Sequence, residues 1–162
     1  MAVAEFKIDA KDFIDQIKKA LSRFADTKAC AAEIGESLVT STKLRFRKET
    51  GPDGEKWKES ARASEEGGQT LTDDSILKNS IEYEATSTQV AVGTNVKYAK
   101  IHQYGGDITP KTKKALKFKV GNKWVTTKKV TMPARPFIGI DDDDVEEARA
   151  IMVDFMTKAF SK

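Results

Sequence analysis

A single cysteine, Cys30, excludes an intramolecular disulfide and argues against a cysteine-based zinc site. It stands among alanines in a helical pattern and reads as a small buried residue. A single histidine, His102, would force any metal site to recruit distant carboxylates. No apolar run approaches the ~20 residues of a membrane span, so no membrane partner is expected. Met1 to Leu21 carries acids throughout and lacks the apolar segment of a signal peptide. A cytosolic site of synthesis follows as the expectation. No internal repeat is evident.

The chain has 162 residues, of which 39% are hydrophobic and 33% charged. That suits one compact domain with an adequate core. The net charge of +3 implies little, but its distribution is uneven. Residues 1–107 carry 16 basic and 18 acidic side chains. Residues 108–140 carry eight Lys and one Arg with no acid. Residues 141–162 carry three basic and seven acidic. A basic block beside an acidic one fits head-to-tail subunit contact, or a polyanion facing the basic block.

The pattern predicts an α+β chain: a mostly antiparallel sheet of four or so strands, packed by N-terminal helices and a C-terminal helix. Residues 1–50 form the helical region of this single domain, 51–140 a mainly β core, and 141–162 the last helix. After a short extended lead-in at Phe6 and Ile8, Asp9 caps a helix from about Ala10 to Ala25. Its apolar positions, Phe13, Ile14, Ile17, Leu21 and Phe24, fall at intervals of three and four. A second helix spans about Thr27 to Lys48, with Cys30, Ile34, Leu38 and Thr42 on one face. Lys43, Arg45, Arg47 and Lys48 load its last turns with positive charge, as the dipole favours. Gly51-Pro52-Asp53-Gly54 stops it, and Trp57 anchors the following loop. Glu59 to Gln69 is polar and reads as a mobile loop. A helical turn at Leu71, Ile76 and Leu77 follows, capped by Thr72 or Asp73.

Ile81, Tyr83 and Ala85 alternate with glutamates, and Val90 and Val92 continue the period of two as a hairpin. Val96 to Tyr104 reads as a short helix closed by Gly105. Leu116, Phe118 and Val120 alternate with lysines up to the Gly121-Asn122 turn, and Trp124 and Val125 return. Pro133 and Pro136 mark an extended linker. The last helix, Asp142 to Phe160, is capped by Asp141 and buries Val145, Ala148, Ile151, Met152, Phe155, Met156 and Ala159.

Several features invite a chemical reading. His102 suits a general base, yet Ser75, Ser80 and Ser87 sit in no nucleophile motif. A structural hydrogen bond is the plainer role for it. Gly105-Gly106 is followed by Asp107, Ile108 and Thr109, not by a P-loop's Gly-Lys-Ser/Thr, and reads as a tight turn. Asp141 to Asp144 lacks EF-hand spacing and reads as helix capping. Lys111, Lys113, Lys114, Lys117, Lys119, Lys123, Lys128 and Lys129 are the interaction candidates. They suit a nucleic-acid backbone, a solvated strand face or acids on a neighbouring subunit. No base-reading element accompanies them.

Motifs in order carry a resemblance. Gly51-Pro52-Asp53-Gly54 with Trp57 is followed by Leu71, Leu77 and Ser80-Ile81, then Val92-Gly93-Thr94. Tyr98-Ala99, Ile101-His102-Gln103-Tyr104-Gly105-Gly106 and Pro133-Ala134-Arg135-Pro136-Phe137-Ile138-Gly139 complete the set. Over roughly Leu44 to Asp144 the chain resembles the phage virion morphogenesis, or tail completion, family of Mu-like and other contractile-tailed phages and prophages. Members often carry Gly-Leu where this chain has Ser75-Ile76. The resemblance implies a structural virion protein that finishes the tail or joins it to the head. It implies no enzyme, no catalytic residue and no cofactor. By analogy with ring proteins of the neck it implies a homo-oligomer, a hexamer, meeting other tail or neck proteins and DNA in its lumen. Trp57, Tyr98, His102, Gln103, Tyr104, Gly105, Gly106, Pro133, Arg135, Pro136 and Phe137 become its structural motif.

Overall fold

The computed structural model describes residues 14–15, 17–19, 21–22 and 27–160. The elements run α1 (Lys28–Lys48), α2 (Ala61–Glu66), α3 (Ile76–Asn79), β1 (Glu82–Ala85), β2 (Val90–Gly93), α4 (Ala99–Tyr104), β3 (Gly106–Ile108), β4 (Leu116–Val120), β5 (Lys123–Thr127), β6 (Val130–Met132) and α5 (Asp142–Phe160). The α+β class holds. The strands divide into three antiparallel pairs: β1–β2, β3–β6 and β4–β5. The described residues between 14 and 22 are helical. Asp9, Phe13, Phe24 and the lead-in at Phe6 and Ile8 lie outside the described residues. Ile14, Ile17 and Leu21 are exposed.

α1 is the spine on which α5, β1 and β2 pack. Its buried side is Cys30, Ala31, Gly35, Thr42, Arg45 and Phe46. A mid-helix glycine gives up roughly 1 kcal/mol of helix propensity relative to alanine. Gly35 is there for room: a Cβ would stand 2.3 Å from Tyr83 Cδ2. α1 ends at Glu49, which is left-handed at φ 55° and donates its N–H to Arg45 O. The chain then turns through Gly51–Gly54, where Gly51 N–H reaches Glu55 O at 2.8 Å. That turn delivers Trp57 into the core formed by Phe46, Trp57, Leu77, Ile81, Ala99 and Phe137.

Four local expectations change. Glu59–Gln69 is not one irregular loop. Ser60 caps α2 by accepting the Ala63 N–H at 3.1 Å, and Ala63 is buried. Arg62 then holds the exit by donating to Gln69 O at 2.6 Å and Gly67 O at 3.3 Å. The cap of α3 is Ser75, not Thr72 or Asp73. β3 and β6 form a ladder that joins the residues after Gly105 to those before Pro133. Finally, α5 buries only part of its expected face. Ile151 and Ala159 are buried, whereas Val145, Met152 and Met156 are exposed. A helix packed chiefly on one neighbour, here α1, covers only a narrow stripe.

Ser75 is a non-glycine residue with a φ of 61°. The sharp turn is made with a side chain that disfavours it. A non-glycine residue held there costs on the order of 1 kcal/mol. Ser75→Gly is therefore expected to stabilise the protein by about 1 kcal/mol, read as a raised thermal midpoint.

Candidate functional site

The motif residues from distant parts of the sequence meet in one corner. Residues 133–139 cross the core as an extended strap between β6 and α5. A strap outside any sheet must find partners for its backbone polar groups elsewhere. Gln103 supplies three of them. Its Oε1 accepts from the N–H groups of Phe137 and Ile138, both at 3.0 Å, and its Nε2 donates to Ile138 O at 2.8 Å. Trp57 Nε1 donates to Pro136 O at 2.9 Å. The Arg135 N–H donates to His102 O at 2.7 Å. Pro133 and Pro136 have no N–H to satisfy and fix φ near the extended range.

Side chains lock the strap down. Phe137 is 1% exposed and lies 5.2 Å from Phe46, which meets Trp57 edge-on at 5.4 Å. Arg135 is buried and donates through Nε to Lys58 O at 2.6 Å. Gly105 closes α4 at φ 68°, and a Cβ there would stand 2.7 Å from Ala134 N. Only glycine permits both the turn and that approach. Tyr98 and Tyr104 belong to the motif in sequence but are exposed, Tyr104 at 72%. Gly106 opens β3, opposite Met132.

Among the described residues His102 makes no side-chain hydrogen bond of the kind expected of it. Its Nδ1 is buried without a partner, and its ring meets Tyr98 edge-on at 5.8 Å. The orienting acid of a triad would sit at that nitrogen. Burial, and next the charge of Arg135, push the imidazole pKa down. The folded protein therefore holds His102 neutral to lower pH than the unfolded chain does. Above about pH 6.5 both states are neutral and no dependence arises. Below it the unfolded chain takes up the proton first, so stability falls until the folded pKa is also passed. Melting temperatures measured down a pH series should show this decline, and His102→Gln should remove its share. If that variant also completes virions normally, a hydrolytic role for His102 is eliminated.

A second cluster has no local signal in the sequence, because its members lie 96 and 99 positions apart. Arg45, in the last turn of α1, is not a solvated dipole charge but buried. Its Nη2 pairs with Asp141 at 2.8 Å and with Asp144, and its Nη1 donates to Gly139 O at 2.8 Å. The two aspartates also cap α5 reciprocally: Asp141 Oδ1 accepts the Asp144 N–H at 2.9 Å, and Asp144 Oδ2 accepts the Asp141 N–H at 3.1 Å. This is a capping box built from aspartates. Burial pushes the Asp141 carboxyl up, but hydrogen bonds from Arg45 and from the Asp144 N–H, with the Arg45 charge, leave it below its usual value. The expected capping is present, and the triad ties α1, the strap and α5 together. Among the described residues no group of three or more His, Cys, Asp and Glu is placed to hold a metal.

The interaction candidates are exposed: Lys111, Lys113, Lys114, Lys117, Lys119, Lys123, Lys128 and Lys129. Lys129 pairs with Asp107 at 2.7 Å. The β4–β5 hairpin leans on α2 with one face, and its other face shows Lys117, Lys119 and Trp124. Trp124 is 66% exposed, with the Lys117 ammonium 5.1 Å from its ring centroid.

Fold and corner together define a small α+β protein in which Trp57, Gln103 and Arg135 are engaged in holding its own backbone. The chain belongs to the phage virion morphogenesis family, whose sequence model matches residues 8–157. Its role accordingly lies in making the phage virion. No curated protein and no solved structure matches the chain. No described helix is long and apolar enough to cross a membrane.

Proposed function

We propose that the protein is a structural virion component that completes the tail and joins it to the head, at the tail terminus or in the neck, without enzymatic activity. Family membership over nearly the whole chain carries this reading. The corner supports it, because Gln103, Trp57 and Arg135 bind backbone carbonyls and amides and are not free to meet a substrate. The subunit assembles in the host cytoplasm, closes into a ring with its own copies, six by analogy, and meets other tail or neck proteins. Heterologous contacts close into rings when their rotation permits. Electron microscopy of particles made without the protein should show tails unjoined to heads or tails of abnormal length. Normal, joined particles would overturn the proposal.

A second reading is favoured by Trp124, since an exposed aromatic ring among lysines suits stacking on a nucleic acid. A free-standing binder of that kind should lose affinity steeply as salt rises, in step with the Lys111 to Lys129 charges. Weak or absent binding by the isolated subunit favours the structural role.

A further inference from the structure

We propose that the β4–β5 hairpin of one copy docks, head to tail, in the acidic cleft of a second copy. The cleft lies between α1, the Gly51–Gly54 turn and the N-terminal end of α5. This deepens the ring reading above and rests on it.

The cleft has a volume of about 880 Å³. Asp142, Asp143 and Glu147 line it, and Ile140 stands at its wall, 66% exposed. Asp141 and Asp144 are committed to Arg45 and to capping α5, and Glu146 pairs with Arg149. Asp142, Asp143 and Glu147 have no cationic partner among the described residues. The hairpin shows the complementary pattern. Lys129 is paired with Asp107, but Lys117 and Lys119, on the face that shows Trp124, have no carboxylate partner among the described residues. Two unpaired cations beside Trp124 on one element thus match the unpaired carboxylates on another.

Each surface also presents apolar area where a purely solvated face would not. Trp124 lies opposite Lys119 in the hairpin register, and Ile140 lies beside Asp142 in the cleft. Aromatic anchors ringed by charge are the usual core of a protein interface. The two surfaces sit on different supports within one subunit: the hairpin leans on α2, and α5 packs on α1. Their contact is therefore assigned between copies, and unlike patches meeting in this way give a heterologous interface. DNA does not fit the pair, because its phosphates would answer the hairpin and leave the acidic cleft without a partner.

The test is a charge exchange read by sedimentation mass and by particle completion. Lys117→Glu with Lys119→Glu, and separately Asp142→Lys with Asp143→Lys, should each weaken self-association at least a hundredfold and block completion. The chain carrying all four changes should regain both. Trp124→Ala should weaken association about tenfold or more. Because lysines at the start of α5 oppose the helix dipole, each variant is first melted. If the lysine pair there fails to fold, Asp142→Asn with Asp143→Asn replaces it and should weaken association less. The proposal is overturned if the unaltered chain stays monomeric at every concentration and salt, if either pair of changes leaves association intact, or if the four-change chain is not rescued. Any of these leaves the tail role standing provided that particles lacking the protein remain incomplete. Completion without the protein would instead remove that role.

Discussion

Arg45→Met is expected to destabilise the protein by about 3–5 kcal/mol, because it leaves a buried carboxylate without its counter-charge. Arg45 and Asp144 are both buried, at 4% and 5% exposure, so neither can turn to water for compensation. The loss reaches beyond the ion pair. Arg45 also holds Gly139 O, where the strap hands over to α5. Urea unfolding checks the magnitude. Neutralising both acids by Asp141→Asn and Asp144→Asn in the Arg45→Met background should recover part of it, since the stranded charge is then gone. Acid unfolding adds a second readout. The depressed Asp141 pKa gives stability that is present above the unfolded carboxylate value, about 3.9, and is lost as pH falls through the folded one. Without Arg45 the burial that raises this pKa is opposed only by the remaining hydrogen bonds. The acid transition should therefore move to higher pH.

Phe137→Ala is expected to cost about 3–5 kcal/mol as well. The ring is all but inaccessible and fills the space between Phe46 and the strap. Its removal opens a cavity that Trp57 is poorly free to fill, because its indole N–H is fixed on Pro136 O. Gln103→Ala should cost about 1–3 kcal/mol for each strap amide left without an acceptor. The two changes loosen the same strap, so the double variant should lose less than the two single losses combined. Additive losses would show that Gln103 and Phe137 act independently.

How legible these features were depended on whether the signal is local. α1 and α5 declared themselves through apolar spacing, the Asp141 cap and the Gly51–Gly54 stop. Both hairpins declared themselves through alternation and the Gly121-Asn122 turn. α2 is not legible because it has one buried residue, Ala63, and one other apolar residue, the exposed Ala61, so no periodicity marks it. β3 and β6 are three residues each and separated by the whole lysine hairpin. No short window contains their pairing. Arg45 looks like a dipole charge in sequence because its acids lie 96 and 99 positions away. The corner was recognisable as a set of motifs. Its working parts were not, since an amide that binds backbone leaves no pattern of residue types at its target. Three of the seven residues expected on the α5 face mislead in the other direction: apolar spacing reports what a helix can bury, not whether a neighbour is present to bury it.

The strap also sets an order of events during synthesis. Phe46 is packed by Phe137, Trp57 is tied to a carbonyl 79 positions later, and Arg45 to one 94 positions later. A chain emerging from the ribosome therefore presents α1, Trp57 and the first hairpin long before the residues that cover them exist. The core cannot close progressively from the N-terminus. It waits for residues 135–139 and then closes at once. Such long sequence separations slow folding, because the loop must be closed before any contact rewards it. The nascent chain should accordingly recruit chaperones that recognise apolar surface until residues 135–139 have left the ribosome. Shortening the gene to end before the strap should yield an aggregating fragment, even though every preceding helix and hairpin is encoded in full.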